Sequence, residues 1–147
     1  MPFDAAYLFS GVILTCDRVL QEKDGTISAI RLFDLLRVPQ LPIQVEVRAV
    51  ILLKATAPSG HHLFEMSAEH PDGSVKKVTA IDDPLYIDFA SKTALGSKPG
   101  AQIVMELGIA VPAEGTYILR ALIDGVEAAR TSITLQLQPS PQSGGPR

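Results

Sequence analysis

Hydrophobic and polar residues alternate along most of this chain, as they do in β-strands that bury one face. The alternation is clearest near the C-terminus, in Thr116 to Asp124 and again in Ser132 to Leu137. The inward positions of these two arms are Tyr117, Leu119, Ala121 and Ile123, then Ile133, Leu135 and Leu137. Asp124-Gly125 lies between the arms and tolerates the positive φ of a tight turn. We therefore predict a hairpin that closes a two-sheet β-sandwich.

Comparable patterns predict further strands upstream of this hairpin. They are Gly11–Leu20, Thr26–Val38, Ile43–Ala55, His62–His70, Ser74–Ala80, Leu85–Ala90 and Ala101–Val111. The turn at Glu22–Gly25 joins the first two as a hairpin, although periodicity leaves Leu32–Arg37 open to a helical turn. Pro39 and Pro42 mark a loop that crosses to the next strand. We expect the three strands after it to form a meander.

About eight strands are thus predicted, with no long amphipathic helix, so the chain should be all-β. We expect a two-sheet antiparallel β-sandwich, immunoglobulin-like or a related Greek key, in which the irregular segment 81–100 crosses between sheets. The length of 147 residues fits one domain, at residues 1–138. Residues 139–147 lack an apolar anchor and are predicted to be a disordered tail.

Charge and cysteine content narrow the function classes. The net charge is −3 and no basic run exceeds Lys76-Lys77, so we expect neither nucleic acid nor anionic membrane as a partner. Cys16 is the one cysteine, which excludes an intrachain disulfide and favours a reducing compartment, the cytoplasm. The apolar segment Tyr7–Cys16 has the cysteine of a lipoprotein signal, but no Lys or Arg precedes it. We interpret it as the first strand.

Two sets of motifs carry resemblances. Ala113-Glu114-Gly115-Thr116-Tyr117 resembles the tyrosine corner of immunoglobulin-like domains, in which an early Tyr of a late strand bonds back across the corner. The chain continues with Ile118-Leu119, where an antibody domain places its cysteine, so this resemblance implies architecture alone.

The second set spans most of the chain. It consists of Cys16-Asp17, Gly25-Thr26-Ile27-Ser28, Ile30, Phe33-Asp34, Glu114-Gly115-Thr116-Tyr117 and Asp124-Gly125. These motifs resemble a family of small bacterial domains with no assigned function. The resemblance implies a bacterial β-sandwich and offers no catalytic residues to carry over.

Acidic loop residues are the first candidate metal ligands. Asp82, Asp83 and Asp88, together with Asp72, form an acidic cluster in sequence, and Ca²⁺ is held by six to eight oxygens of this kind. Asp-Pro also favours a simple turn, and we prefer that interpretation. We therefore expect no metal and no cofactor.

The three histidines are the second group. His62 and His70 share a strand face but lie roughly 27 Å apart on an extended strand, and His61 points to the other side. They cannot ligate one metal ion without a sharp bend, so we expect surface histidines beside turns.

Three residues of the first hairpin are the candidates for chemistry. Cys16 lies on an apolar strand with no nearby base, so we expect a buried, inert thiol. Asp17 and Asp34 interrupt apolar runs and form either an acid–base pair or bonds to Arg18, Arg31 or Arg37. The chain has no nucleophile elbow, phosphate loop or dinucleotide fingerprint. We expect that it is not an enzyme, although a hydrolase using Asp17, Asp34 or the histidines stays as a third hypothesis.

Outward apolar positions provide the preferred functional hypothesis. Val50, Leu52 and Val104 fall on the polar faces of their strands, where they predict an apolar patch for a protein partner or for a second copy of the chain. The sequence does not establish the function. The preferred hypothesis is a non-catalytic protein-interaction or assembly module, and the alternative is an ion- or ligand-binding sandwich that uses the 81–100 loop.

Overall fold

Ten strands make up the computed structural model, which describes residues 9–56, 59–78, 85–89 and 100–139. In chain order they are β1 (Phe9–Gln21), β2 (Ile27–Leu32), β3 (Leu35–Val38), β4 (Ile43–Ala55), β5 (Ser59–Glu69), β6 (Val75–Lys77), β7 (Leu85–Phe89), β8 (Gly100–Val111), β9 (Gly115–Ile123) and β10 (Val126–Leu137). The strand count is therefore ten rather than about eight, and the predicted second arm of the first hairpin, Thr26–Val38, is two strands, β2 and β3.

Four strands form one sheet in the order β2-β1-β4-β8, and all neighbours are antiparallel. The pairing of β4 with β8 is the longest, running from Ile43 opposite Val111 to Lys54 opposite Gly100. On its other side β4 pairs with β1, from Ala55 opposite Phe9 to Arg48 opposite Cys16. The regular alternation of β4 thus belongs to a central strand.

The second sheet contains six strands, in the order β3-β10-β9-β5-β6, and β7 also pairs with β5. The predicted closing hairpin is present as β9 and β10, and its turn residues Asp124 and Gly125 have φ of 52° and 83°. One pair departs from the antiparallel prediction, because β3 runs parallel to β10. Parallel pairing is possible here because the two strands are far apart in sequence.

The distribution of the strands is immunoglobulin-like. β1, β4 and β8 take the places of strands A, B and E, and β5, β9 and β10 take those of C, F and G. The predicted meander of three strands is wrong, because β4 and β5 lie in different sheets; only β5 and β6 form a hairpin. The predicted crossing loop with Pro39 and Pro42 is confirmed, since it connects β3 in one sheet to β4 in the other.

The first hairpin divides where Phe33 passes from one sheet towards the other. Arg31, two residues before Phe33, has a left-handed backbone with φ of 60°. Two hydrogen bonds join Phe33 to Thr15 of β1. The Phe33 N–H donates to the Thr15 carbonyl oxygen at 3.0 Å, and the Thr15 hydroxyl donates to the Phe33 carbonyl oxygen at 2.5 Å. Asp34 follows, and its carbonyl accepts from the Thr134 N–H of β10. The structure excludes the helical alternative for Leu32–Arg37, because residues 35–38 form β3.

The inward faces of the two sheets form one apolar core. Its largest fully buried side chains are Tyr117, Phe64, Phe89, Ile51, Leu53, Met66, Leu107, Ile109, Leu119, Ile123, Ile133 and Leu135. Most occupy the inward positions that the alternation predicts. The predicted disordered tail, from 140 onwards, and the residues Asp82 and Asp83 lie outside the described residues.

Candidate interaction surface

The outer face of the four-stranded sheet carries most of the candidate interaction residues. Strand register places Val12 of β1 opposite Leu52 of β4, and Val50 of β4 opposite Val104 of β8. Residues directly opposite each other point to the same face of a sheet. Alternation then assigns Val12, Leu52 and Val104 to one outer surface.

Exposure separates these residues into two groups. Val104 is 40% exposed, Leu52 is 37% exposed and Val12 is 50% exposed, whereas Val50 is only 2% exposed. The prediction that Val50 is an interaction residue is therefore wrong. Val50 lies on a central strand, between Leu14 on one neighbouring strand and Val104 on the other. Alternation predicts the face to which a side chain points, but it does not show how far neighbouring side chains cover it.

Leu32 extends the apolar surface towards β2. It is 58% exposed and lies opposite Cys16, whose position belongs to the same outer face. We define the outer patch as the four exposed residues Val12, Leu32, Leu52 and Val104. The sequence did not identify Val12 and Leu32, because the alternation in the first hairpin is imperfect. A polar pair, Arg48 and Glu106 at 3.9 Å, lies on the same face.

The outer face of the six-stranded sheet is different in character, because charged side chains cross it. Arg120 contacts Glu69 at 2.7 Å and Glu127 at 2.9 Å, and Glu127 also binds Arg130 at 2.8 Å. Lys77 pairs with Glu65 at 2.7 Å. The bonds from both arginines hold the pKa of Glu127 below its ordinary value, with the hydrogen bond from Arg130 as the largest cause. A network of ion pairs thus crosses this face, whereas on the other face the exposed aliphatic side chains Val12, Leu52 and Val104 lie on adjoining strands beside the Arg48–Glu106 pair.

His62 is part of a structural anchor at one end of the sandwich. Its Nδ1 lies 2.6 Å from Asp124 Oδ2, and its ring packs edge-on against Phe9 and Phe89. Asp124 Oδ1 accepts from the Leu63 N–H at 2.9 Å, and the Asp124 N–H donates to the Leu63 carbonyl oxygen. Asp124 thereby attaches the β9–β10 turn to β5.

The pKa of Asp124 reflects opposing effects. Burial is the largest influence and raises it, but the hydrogen bonds from His62 and from the Leu63 N–H, with the charge of His62, outweigh burial. The pKa of Asp124 therefore lies below its ordinary value.

The other histidines are also held in local structure. His61 Nδ1 lies 2.5 Å from Asp88 Oδ1 and its ring stacks on Tyr86. His70 is only 5% exposed and packs against Tyr117, so the prediction of surface histidines is wrong for His70 and for the largely buried His62. His62 lies on β5, and His70 directly follows the last residue of that strand, where its ring packs against Tyr117.

No group of three or more possible metal ligands occurs among the described residues. Of the three predicted acidic ligands, the structure describes only Asp88, and its carboxylate pairs with His61. A site in the 81–100 loop stays a prediction, because Asp82 and Asp83 are not described.

The candidates for chemistry in the first hairpin have different surroundings. Asp17 pairs with Arg31 at 3.3 Å, and Arg31 is one of the arginines that the sequence analysis named as its possible partners. Asp34 is exposed at the point where the chain enters β3. Cys16 is only 1% exposed, as predicted. Burial, then the neighbouring Asp17 charge, raises the pKa of its thiol, which makes it a poor nucleophile at neutral pH.

The chain belongs to a family of unknown function (DUF6941), whose model matches residues 11–136. This finding confirms the resemblance to a family without assigned function. No curated protein matches the chain. In the part of the chain that the structure describes, no helix is long and apolar enough to cross a bilayer.

Two solved structures match the chain at low similarity. One is the CARDB domain of the PF1109 protein from Pyrococcus furiosus, in complex with di-metal ions; it is 11% identical with a TM-score of 0.46, and the match covers 94% of this chain and all of that one. The other is the alkylpurine DNA glycosylase AlkC of Pseudomonas fluorescens, bound to DNA containing an abasic site analog. It is 9% identical with a TM-score of 0.46, over 90% of this chain and 31% of that one.

Proposed function

We propose that this chain is a non-catalytic protein-interaction or assembly module that binds other protein through the outer patch. The observation that carries the proposal is the placement of exposed aliphatic side chains on adjoining strands of one outer face. Val12 lies directly opposite Leu52, and Leu52 and Val104 lie on the paired strands β4 and β8. Val12, Leu32, Leu52 and Val104 are each exposed by more than a third of their surface.

Burying such side chains is favourable by roughly 25 cal/mol per Å² of apolar surface removed from water. Clustered exposed aliphatic residues on one sheet face are therefore typical of a contact surface. The candidates that the sequence raised for catalysis support the same proposal. Asp17 pairs with Arg31, His61 with Asp88 and His62 with Asp124, and the thiol of Cys16 is buried.

We further propose that the protein is bacterial and works in the cytoplasm, with protein rather than nucleic acid or membrane as its partner. The support is a buried free thiol, which suits a reducing compartment, and a net charge of −3, which disfavours polyanions.

Cross-linking in the native host tests the proposal. The wild type would be compared with Val12→Glu/Leu52→Glu, which places two charges in the outer patch, and with Val126→Glu as a matched control. Val126 is 65% exposed and lies on β10, away from the patch. We expect cross-linked species with the wild type and the control and none with the patch variant, while circular dichroism shows that all three fold. Equal cross-linking by the patch variant, or none by the wild type, overturns the proposal.

A further inference from the structure

The free edge of the four-stranded sheet points to a particular partner for this module. Among the described residues β8 pairs with β4 alone, so it is the edge strand of the sheet in the part of the chain that the structure describes. Edge strands in natural proteins are protected by shortness, by charge, by proline or by a bulge, because an unprotected edge pairs with another strand.

β8 lacks these protections, and the other described edges have them. β8 has twelve residues with Glu106 as the one charged side chain, and it contains no proline. The opposite edge, β2, has six residues, and the left-handed Arg31 interrupts it. At the edges of the other sheet, β3 has four residues, β6 has three with two lysines, and β7 has five with Asp88.

One half of β8 also exposes apolar side chains on both faces. Val104 is exposed on the outer face, and Ile103 and Met105 are only partly buried on the inner face. The other half is different, because Leu107 and Ile109 are fully buried. The segment 100–106 is therefore the part of this edge where an added strand would remove the most apolar surface from water.

We propose that two copies of this chain pair through β8, antiparallel, about a two-fold axis at Val104. This inference rests on the proposed function and names its partner. The strand is complementary to itself in this register. Val104 faces its copy, Gln102 faces Glu106, and Ile103 faces Met105. Centring the pair on Glu106 instead would oppose two carboxylates, which is destabilising.

The resulting dimer has an isologous interface, in which the same segment is used on both copies. The two four-stranded sheets become one sheet of eight strands. Val104 of each copy then lies beside that of the other, and Leu52 lies one strand further from the axis on each side, so edge pairing and the outer patch contribute to one continuous surface.

Cysteine cross-linking tests the register directly. In a Cys16→Ala background, Val104→Cys places two thiols opposite each other, within the Cα separation that a disulfide requires. Ala110→Cys is the matched control, because it is exposed on the same face of the same strand but lies away from the axis. We expect a disulfide dimer on mild oxidation for Val104→Cys and little for Ala110→Cys. Equal yields, or none from Val104→Cys, overturn the inference.

Charge substitutions at Gln102 give a second test that leaves the core unchanged. Gln102→Lys sets an ammonium against Glu106 twice in the dimer, and Gln102→Glu sets a carboxylate there. By analytical ultracentrifugation we expect the dimer dissociation constant to fall several-fold with lysine and to rise several-fold with glutamate. The same change in both, or a monomer at every concentration, overturns the inference.

These outcomes separate the two proposals. A monomer whose outer patch still gives cross-linked species with other proteins in the host contradicts β8 pairing and leaves the interaction module intact. A β8-linked dimer that is unaffected by Val12→Glu/Leu52→Glu contradicts the role of the outer patch instead.

Discussion

The phenol oxygen of Tyr117 donates a hydrogen bond of 2.6 Å to the backbone carbonyl oxygen of Ala113, four residues earlier. The ring itself is fully buried and packs against His70. Burial raises the pKa of the Tyr117 hydroxyl, so it stays protonated and remains a donor at neutral pH. The tyrosine corner that the sequence indicated is therefore present, and it attaches the connection between β8 and β9 to the core.

Tyr117→Phe should lower the free energy of unfolding by about 1–2 kcal/mol. It keeps the ring in the core but leaves the Ala113 carbonyl without this donor. Chemical denaturation measures the change, and Tyr86→Phe serves as the control because Tyr86 is 53% exposed. An unchanged unfolding midpoint for Tyr117→Phe would show that the corner bond does not stabilise this fold.

Gly115→Ala should destabilise the protein by more than about 2 kcal/mol. Gly115 has φ of 144°, and an added Cβ would lie 2.6 Å from Pro71 Cγ and 2.9 Å from Pro71 Cβ. Pro71→Ala in the same chain should recover only part of the loss, because it removes Cγ but not the backbone strain. Gly60→Ala is the control, since an added Cβ there meets nothing within 4 Å. Full recovery in the double variant would assign the whole cost to Pro71.

Local signals in the sequence were sufficient for the β9–β10 hairpin. Asp124-Gly125 predicts a turn with two positive φ angles, and the alternation on both sides predicts which residues face the core. The prediction succeeds because a tight turn fixes both the neighbour and the register of its strands. It is wrong for Leu137, which is 43% exposed at the last position of β10.

Longer connections gave less information. A turn before His62 indicates that the chain reverses, but not whether the next strand pairs with β4 or crosses to the opposite sheet. The parallel pairing of β3 with β10 joins residues about a hundred positions apart, so no local pattern can predict it. For the same reason alternation placed Leu52 and Val104 on the outer face but could not show that neighbouring strands cover Val50.

Asp124→Asn should lower stability by about 1 kcal/mol at neutral pH, since it removes the charge from the bond to His62 and keeps the side-chain size. The pKa of Asp124 is depressed in the folded state, so this stabilisation is present above its unfolded pKa of about 3.9. It is lost as pH falls through the folded pKa.

Urea unfolding at several pH values checks this dependence. The difference between the wild type and Asp124→Asn should shrink below pH of about 4. Asp88→Asn is the control at neutral pH, where we expect less than about 0.5 kcal/mol because its pair with His61 is exposed. A difference that stays constant into acid would mean that the charge of Asp124 contributes nothing.

Val50 and Val104 allow burial to be tested with the same substitution at two directly opposed positions. Val50→Ala removes buried methyl groups and should cost about 2 kcal/mol, whereas Val104→Ala should cost less than about 1 kcal/mol because Val104 is 40% exposed. Unfolding should be measured in dilute protein, where association of copies does not contribute. In the native-host cross-linking experiment the order should reverse, and Val104→Ala should reduce the yield of cross-linked species more than Val50→Ala does. Equal costs in unfolding would contradict the burial of Val50 beneath its neighbours on the outer face.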